Sequence, residues 1–188
     1  MQAHSVASAA MPRPGMNSTD TNKLNPGNGN GLEVLTFDLA DETFALEAIL
    51  VREVLDKSPE THVPGAPTFV DAVINFRGRI IPLVDLRLAF DLEVRAISRD
   101  SRVIVIELEI EGEAALLGLR ADKVFEVTVI SDTATEPAPR LGTRWRPDFI
   151  RNLVKRNDDI IILPDLAAIF SARGRTDNGG VYPPGHLG

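Results

Sequence analysis

Between residues 103 and 110 the chain alternates. Ile104, Ile106, Leu108 and Ile110 fall on one side of a two-residue period, Glu107 and Glu109 on the other. That period marks a β-strand with one buried and one wet face. Gly112 then turns the chain into a second run, 114–119. Similar short runs predict strands over 32–39, 43–47, 51–56, 72–77, 80–84, 123–130, 151–156 and 159–163. Five strands per half, with little helix, predict a mainly β fold of two small barrels sharing a core. Closure is one way a small sheet hides its edges.

The pattern is written twice. FVDAVINFRGRIIPLVDLRLAF (69–90) lies over FIRNLVKRNDDIIILPDLAAIF (149–170) at an offset of 80 positions, with seven identities: Phe69/Phe149, Ile80/Ile160, Ile81/Ile161, Leu83/Leu163, Asp85/Asp165, Leu86/Leu166 and Phe90/Phe170. Those positions are expected mostly to serve the core. Asn75, Arg77 and Arg79 stand against Lys155, Asn157 and Asp159, as surface positions would. Upstream the likeness is weaker: Leu46, Ala48, Val51, Glu53 and Val54 match Leu119, Ala121, Val124, Glu126 and Val127 at an offset of 73. The domain is therefore a pseudo-repeat of two units, too few for a solenoid or propeller.

Each copy has a hairpin turn, Arg77-Gly78-Arg79 or Asn157-Asp158-Asp159, made of residues that include the types tolerant of positive φ. Each then ends in a strand followed by Asp-Leu. Asp85 and Asp165 are predicted to cap short helices, because a carboxylate accepts from the unpaired amides of a first turn. Pro82 is expected at a bulge or sheet edge, since a central strand needs its N–H. Pro164 interrupts the end of its strand.

Composition changes the picture at the ends. Residues 1–31 and 174–188 are polar and rich in Pro and Gly, and are read as disordered tails around a folded domain over 32–173. The formal charge of −7 divides as +1 and 0 on the tails and −8 on the domain. An acidic domain argues against binding a phosphate backbone, although Arg144 and Arg146 allow a local basic patch. The absence of cysteine removes disulfides, thiolate metal sites and cysteine nucleophiles. No apolar run approaches the 18 or so residues of a membrane span, and the N-terminus lacks the features of a signal peptide. A cytoplasmic protein without membrane insertion is expected.

Candidate chemistry is sparse. His4 and His186 lie in the tails and His62 in a Pro-flanked loop. No His, Asp and Glu cluster has metal-ligand spacing, and no glycine-rich phosphate cradle is present. Asp41-Glu42 and Asp158-Asp159 are acids of the kind turns attract. The expectation is a protein that is not an enzyme and uses no cofactor or metal. Trp145, between Arg144 and Arg146, is read as a packing anchor.

The sharpest local signal is Asn75-Phe76-Arg77-Gly78-Arg79-Ile80-Ile81-Pro82-Leu83-Val84-Asp85-Leu86. This run resembles the signature of CheW-like coupling proteins, chemotaxis adaptors that join chemoreceptors to the CheA histidine kinase. Supporting stretches are Leu35-Thr36-Phe37, Phe44-Ala45-Leu46, Val51-Arg52-Glu53-Val54, Gly118 to Val124 and Ile160 to Phe170. The likeness covers nearly all of 32–173, in order. It implies two five-stranded SH3-like barrels around a common core and no catalysis. It also implies two partners, the cytoplasmic tip of a methyl-accepting chemoreceptor and the regulatory domain of a CheA-type kinase, hence recruitment to membrane receptor arrays. By the same resemblance, Glu53 and Arg77 pair and take part in receptor binding, with Val51 beside them. Asn75 and Gly78 are read as shaping the turn. Ala72 departs from the family pattern, which usually has glycine there, and Asn152 holds the equivalent place in the second copy.

Two alternatives stay open. One keeps the fold in a chemosensory pathway that controls something other than motility. The other is a small-barrel module for nucleic acid or ligand, whose nucleic-acid form would need aromatics in a basic groove. A proline-rich peptide groove is disfavoured, because most of the eight Phe fall at core-phase positions.

Overall fold

The alternating runs form strands where the pattern predicts them. The fold is that of a computed structural model, which describes residues 31–56, 58–110, 112–131, 135–137, 146–156 and 159–176, with side chains through 173. In chain order the strands are β1 (Leu32–Leu39), β2 (Glu42–Glu47), β3 (Val51–Leu55), β4 (Thr61–His62), β5 (Ala72–Phe76), β6 (Arg79–Val84), β7 (Arg102–Ile110), β8 (Glu113–Ala121), β9 (Lys123–Ile130), β10 (Thr135–Glu136), β11 (Ile150–Arg156) and β12 (Asp159–Pro164), followed by helix α1 (Leu166–Thr176). Ten of these correspond to predicted strands, with ends shifted by one or two residues. The other two, β4 and β10, are two residues long, too short to show a period. Apart from Gly31 and residues 174–176, the segments read as tails lie outside the described residues.

The strands build two sheets, ordered β10-β11-β12-β2-β1-β9 and β3-β7-β8-β6-β5-β4. Reversing the second order and advancing each strand by six places reproduces the first. Each sheet thus takes its first two strands from one sequence repeat and the other four from the other repeat: β1–β2 join β9–β12, and β7–β8 join β3–β6. The parallel pairs that make these joins, Leu83 with Gly118 and Ile161 with Thr43, are in one register once the offsets of 80 and 73 are applied. The result is two SH3-like barrels, each with five longer strands and a two-residue strand at one edge.

Three apolar clusters follow the same symmetry. Ile74, Ile81 and Leu83 sit inside one barrel, and their counterparts Val154, Ile161 and Leu163 sit inside the other. Between the barrels a larger cluster gathers Phe37, Phe44, Phe69, Leu86, Phe90, Phe149 and Leu166. Burying such side chains stabilises by roughly 1.5–3 kcal/mol each. The pairing reaches small residues too: Ala45 is in one barrel's interior, and Gly118, its counterpart at the offset of 73, faces Val103, Leu83 and Ile74 in the other. Ala72 is fully buried among its own barrel's residues. One identical pair departs from the expectation of a core role. Ile80 and Ile160 are 66% and 50% exposed, because each lies near the turn end of its strand, beyond the cover of the shared core that buries Val84 and Ile162 farther along the same face.

The predicted caps are in place. Asp85 accepts from the Arg87 N–H (3.1 Å) at a short 3-10 turn, Leu86–Leu88, and Asp165 accepts from the Ala168 N–H (2.8 Å) in α1. Pro82 is a more mixed case. Its strand β6 is interior, between β5 and β8, but the ladder to β8 begins at Leu83, so the proline stands at that ladder's open end.

Candidate functional site

The β5–β6 hairpin closes through two residues, with Phe76 paired to Arg79. Arg77 and Gly78 both have positive φ, +50° and +82°. A two-residue turn of that type matches the twist of its strands, but for a side chain larger than glycine the left-handed region costs about 1–2 kcal/mol. Asn75 holds the turn, its Oδ1 accepting from the Gly78 N–H at 2.8 Å. The asparagine and glycine therefore shape the loop, as the sequence suggests. They leave a strained arginine at its tip.

Arg77 is held from two sides. Its Nη2 donates to Glu53 Oε2 at 2.6 Å, and its guanidinium carbon lies 5.2 Å from the centre of the Phe76 ring. The arginine nevertheless stays 73% exposed, with Glu53 at 36%. A guanidinium has donors to spare after one such bond, so Arg77 presents a charged fork with a set orientation. Val51 lies two residues before Glu53 on β3 and packs half-buried against the shared core. The structure thus joins Glu53 and Arg77 and places Val51 at the base of the same strand.

Around this pair, charged and apolar groups are interleaved. Arg52 forms a two-pronged contact with Glu107 of β7 (Nη2–Oε1 3.1 Å, Nε–Oε2 3.3 Å), and these hydrogen bonds hold the Glu107 carboxyl below its ordinary pKa. Ile49, Val54 and Ile80, from the segments that carry Glu53 and Arg77, are exposed. A charged fork beside exposed apolar side chains suits an amphipathic partner and offers no catalytic pairing of nucleophile and base.

A buried ion cluster goes beyond what the sequence pattern suggests. Arg87, only 4% exposed, donates from Nε and Nη2 to both oxygens of Asp85 (2.9 and 2.7 Å) and from Nη1 to Asp122 (3.0 Å). Burial lowers the Arg87 pKa, but the Asp85 hydrogen bonds and the charges of Asp85 and Asp122 outweigh it, and the net shift is upward. Asp122 also accepts from the Ala40 N–H at 2.7 Å, and its own N–H donates to Asp38, so the cluster ties the β8–β9 crossover to the β1–β2 turn. Its signal was the arginine two places after Asp85, where the second repeat has Ala167. A second arginine, Arg120, is gripped by Glu60 (2.7 Å) and Asp71 (2.9 Å).

A cavity of about 320 Å³ lies between these clusters and away from Glu53 and Arg77. Arg87, Arg95, Arg102 and Arg120 line it. Each guanidinium already pairs with a carboxylate, so the cavity presents no uncompensated positive charge. Among the described residues no group of three or more His, Asp or Glu is placed to hold a metal, and no helix is long and apolar enough to cross a membrane. His62, on β4, is exposed, with Nδ1 3.6 Å from Asp71. Arg146 lies over the Phe149 ring at 4.3 Å. Arg144, Trp145, Asn157 and Asp158 lie outside the described residues.

Comparison with known proteins agrees with this fold. The CheW-like domain family matches residues 33–174. The chain is 28% identical over 155 residues to the chemotaxis protein CheW of Rhizobium meliloti, covering 82% of this chain and 97% of that one. It is 30% identical to the chemotaxis protein CheW of Helicobacter pylori over 70% of this chain and 77% of the other. Among solved structures, the scaffolding protein TtCheW from Thermoanaerobacter tengcongensis superposes with a TM-score of 0.66 at 35% identity, covering 77% of this chain and 95% of that one.

Proposed function

Because the chain belongs to the CheW-like domain family, we propose that it is a non-catalytic adaptor that couples chemoreceptors to a CheA-type histidine kinase. One face binds the cytoplasmic tip of a receptor, and another binds the kinase's regulatory domain. The adaptor is cytoplasmic and is drawn to membrane receptor arrays through these contacts. The observation that carries this reading is the Arg77–Glu53 contact at 2.6 Å, formed at the two positions that the family resemblance ties to receptor binding.

The mechanism is positional. Glu53 and the Phe76 ring restrict the Arg77 side chain before a partner arrives, which lowers the ordering cost of binding. The remaining guanidinium donors meet a carboxylate or carbonyl on a receptor helix, and the apolar side chains of Val51, Val54 and Ile80 lie against the apolar stripe of that helix. Receptor state then reaches the kinase by mass action through one rigid scaffold.

Calorimetry of the full chain tests this, with a receptor-tip helical fragment and a CheA regulatory domain from the same cell as the two ligands. The expected result is binding to both, with Arg77→Glu and Glu53→Lys weakening only the receptor interaction. Failure of the folded chain to bind the kinase domain overturns the adaptor reading. Unchanged receptor affinity in Arg77→Glu removes the assigned site.

A second reading keeps the adaptor chemistry but moves the pathway away from motility. One relative with a different name, Protein PilI of Pseudomonas aeruginosa, 32% identical over 60% of this chain and 61% of its own, leaves the pathway open without pointing to either reading. Binding to a kinase of the swimming pathway, but not to its paralogues, would exclude this second reading.

A further inference from the structure

The two repeats part company at one arginine. In the first repeat Arg87 is buried, with Nε and Nη2 on the two oxygens of Asp85 and Nη1 on Asp122. In the second, the offsets of 80 and 73 put Asp165, Ala167 and Ile49 at the places of Asp85, Arg87 and Asp122. The capping carboxylate is kept and its arginine is gone. A cavity of about 220 Å³ opens there, lined by Asp165 and Ala167 and walled by Leu46, Leu50 and Leu108. Asp165 is half-buried and Ala167 exposed, so the cavity is reached from outside.

An ion pair confirms that the two places correspond. Arg120 bonds Asp71 in the first repeat's barrel, and Glu47 bonds Arg151 beside this cavity. The offsets set Glu47 over Arg120 and Arg151 over Asp71, so the same bridge is built twice with its charges exchanged. That bridge is internally neutral. Asp165 is not: its Oδ1 accepts from the Ala168 N–H, but among the described residues no cation pairs with it, nor with Glu109 on the same cavity.

We propose that this cavity is a docking pocket for an arginine side chain presented by a partner protein, which takes the place that Arg87 fills in the first repeat. The leucine walls suit the methylene stem, and the guanidinium fork meets Asp165 as Arg87 meets Asp85. A lysine would bring a point charge in place of that fork. Size agrees with a single side chain, since pockets for drug-sized ligands begin at about 300 Å³. The chain's net charge of −7 favours the approach of a cation. The pocket goes beyond the receptor-binding reading of Glu53 and Arg77 and does not rest on it.

NMR titration of the isotope-labelled full chain with arginine blocked at both ends, N-acetyl-arginine amide, reads the pocket directly. The expected result is saturable shifts at the Leu50, Asp165 and Ala167 amides, with a dissociation constant in the millimolar range. The matching citrulline derivative keeps the shape and loses the charge. It should bind about tenfold more weakly, because charge-assisted hydrogen bonds are roughly twice as strong as neutral ones. Ala167→Arg restores the residue type of the first repeat and fills the cavity from within, so it should abolish the shifts. Glu109→Gln, at an exposed strand position, should lower the affinity severalfold and serves if the arginine variant does not fold. Absence of saturable shifts overturns the proposal, as does equal binding of the citrulline derivative. So does unchanged affinity in a folded Ala167→Arg or Glu109→Gln variant. Free arginine that binds far more tightly than the blocked form would mark a metabolite site and overturn it too.

Discussion

Arg77 and Glu53 meet at 2.6 Å although β7 and β8 stand between β3 and the β5–β6 hairpin in the order of their sheet. The contact requires the sheet to curl until its edge strand approaches a distant turn. One pair of side chains thus reports both the barrel and the candidate site. An exposed ion pair of this kind adds only about 0–1 kcal/mol of stability, which fits the proposed role of aiming the guanidinium.

That separation of aim from stability can be measured by exchanging the charges. Arg77→Glu and Glu53→Arg should each weaken receptor-tip binding by about tenfold, roughly 1.4 kcal/mol, with melting temperatures near wild type. The double variant should recover part of the loss, since the pair re-forms with its ends reversed. No recovery would mean that each residue contacts the receptor independently of the other.

The buried cluster behaves in the opposite way. Arg87→Ala leaves the Asp85 carboxylate, 3% exposed, without its cation. Removing one partner from a buried ion pair typically costs about 3–5 kcal/mol. Asp122→Asn should cost clearly less, because the Asp122 side chain is 21% exposed and the amide oxygen still accepts. Urea denaturation of the two variants gives the ranking, and equal losses would contradict it.

Gly118 and Ala45 hold equivalent places in the two barrels, but only one tolerates a methyl group. A Cβ on Gly118 would lie 3.0 Å from Val103 Cγ1, 3.1 Å from Leu83 Cδ1 and 3.2 Å from Ile74 Cδ1. Gly118→Ala should therefore destabilise by about 1 kcal/mol, the low end of overpacking costs, despite alanine's advantage over glycine in a strand. Chemical denaturation that shows a gain instead would mean that those three side chains move apart at no cost.

Asp38 sets a pH dependence of known sign. Burial raises its pKa, and the hydrogen bond from Thr43 and the charge of Lys123 only partly offset this. A carboxyl raised in the folded state contributes stability below its unfolded pKa, about 3.9, and loses that contribution as pH rises through the raised value. At neutral pH ionised Asp38 is thus a net cost. Asp38→Asn keeps an acceptor for Thr43 and removes the titration, so its stability relative to wild type should increase between about pH 3 and pH 7. A difference that stays flat across that range would contradict the assignment.

Much of this was legible beforehand because it is local. Alternation over 103–110 announces a strand whatever it pairs with, and Asp85 and Asp165 announce caps from the two residues beside them. The hairpin that presents Arg77 shows in Asn75 and Gly78, whose chemistry suits a tight turn. Glu53 was linked to Arg77 only through a family resemblance, since 24 residues of sequence carry no sign of their contact. Arg87 went unread, since an arginine two places after a capping aspartate looks like any solvated charge. Only packing on all sides makes it buried.

By itself the sequence determined most of the residues that turn inward, where the ten longer strands lie, and that the chain is one unit used twice. The tertiary structure decided how the two copies are joined. Each repeat could have closed its own barrel, yet β1–β2 complete the barrel of β9–β12, and β7–β8 that of β3–β6. Side-chain alternation selects the buried face of a strand, whereas the edge pairs through backbone N–H and C=O groups that are the same in every strand. The parallel joins at Leu83–Gly118 and Ile161–Thr43 are settled by the shared apolar cluster between the barrels, which only the whole chain can assemble.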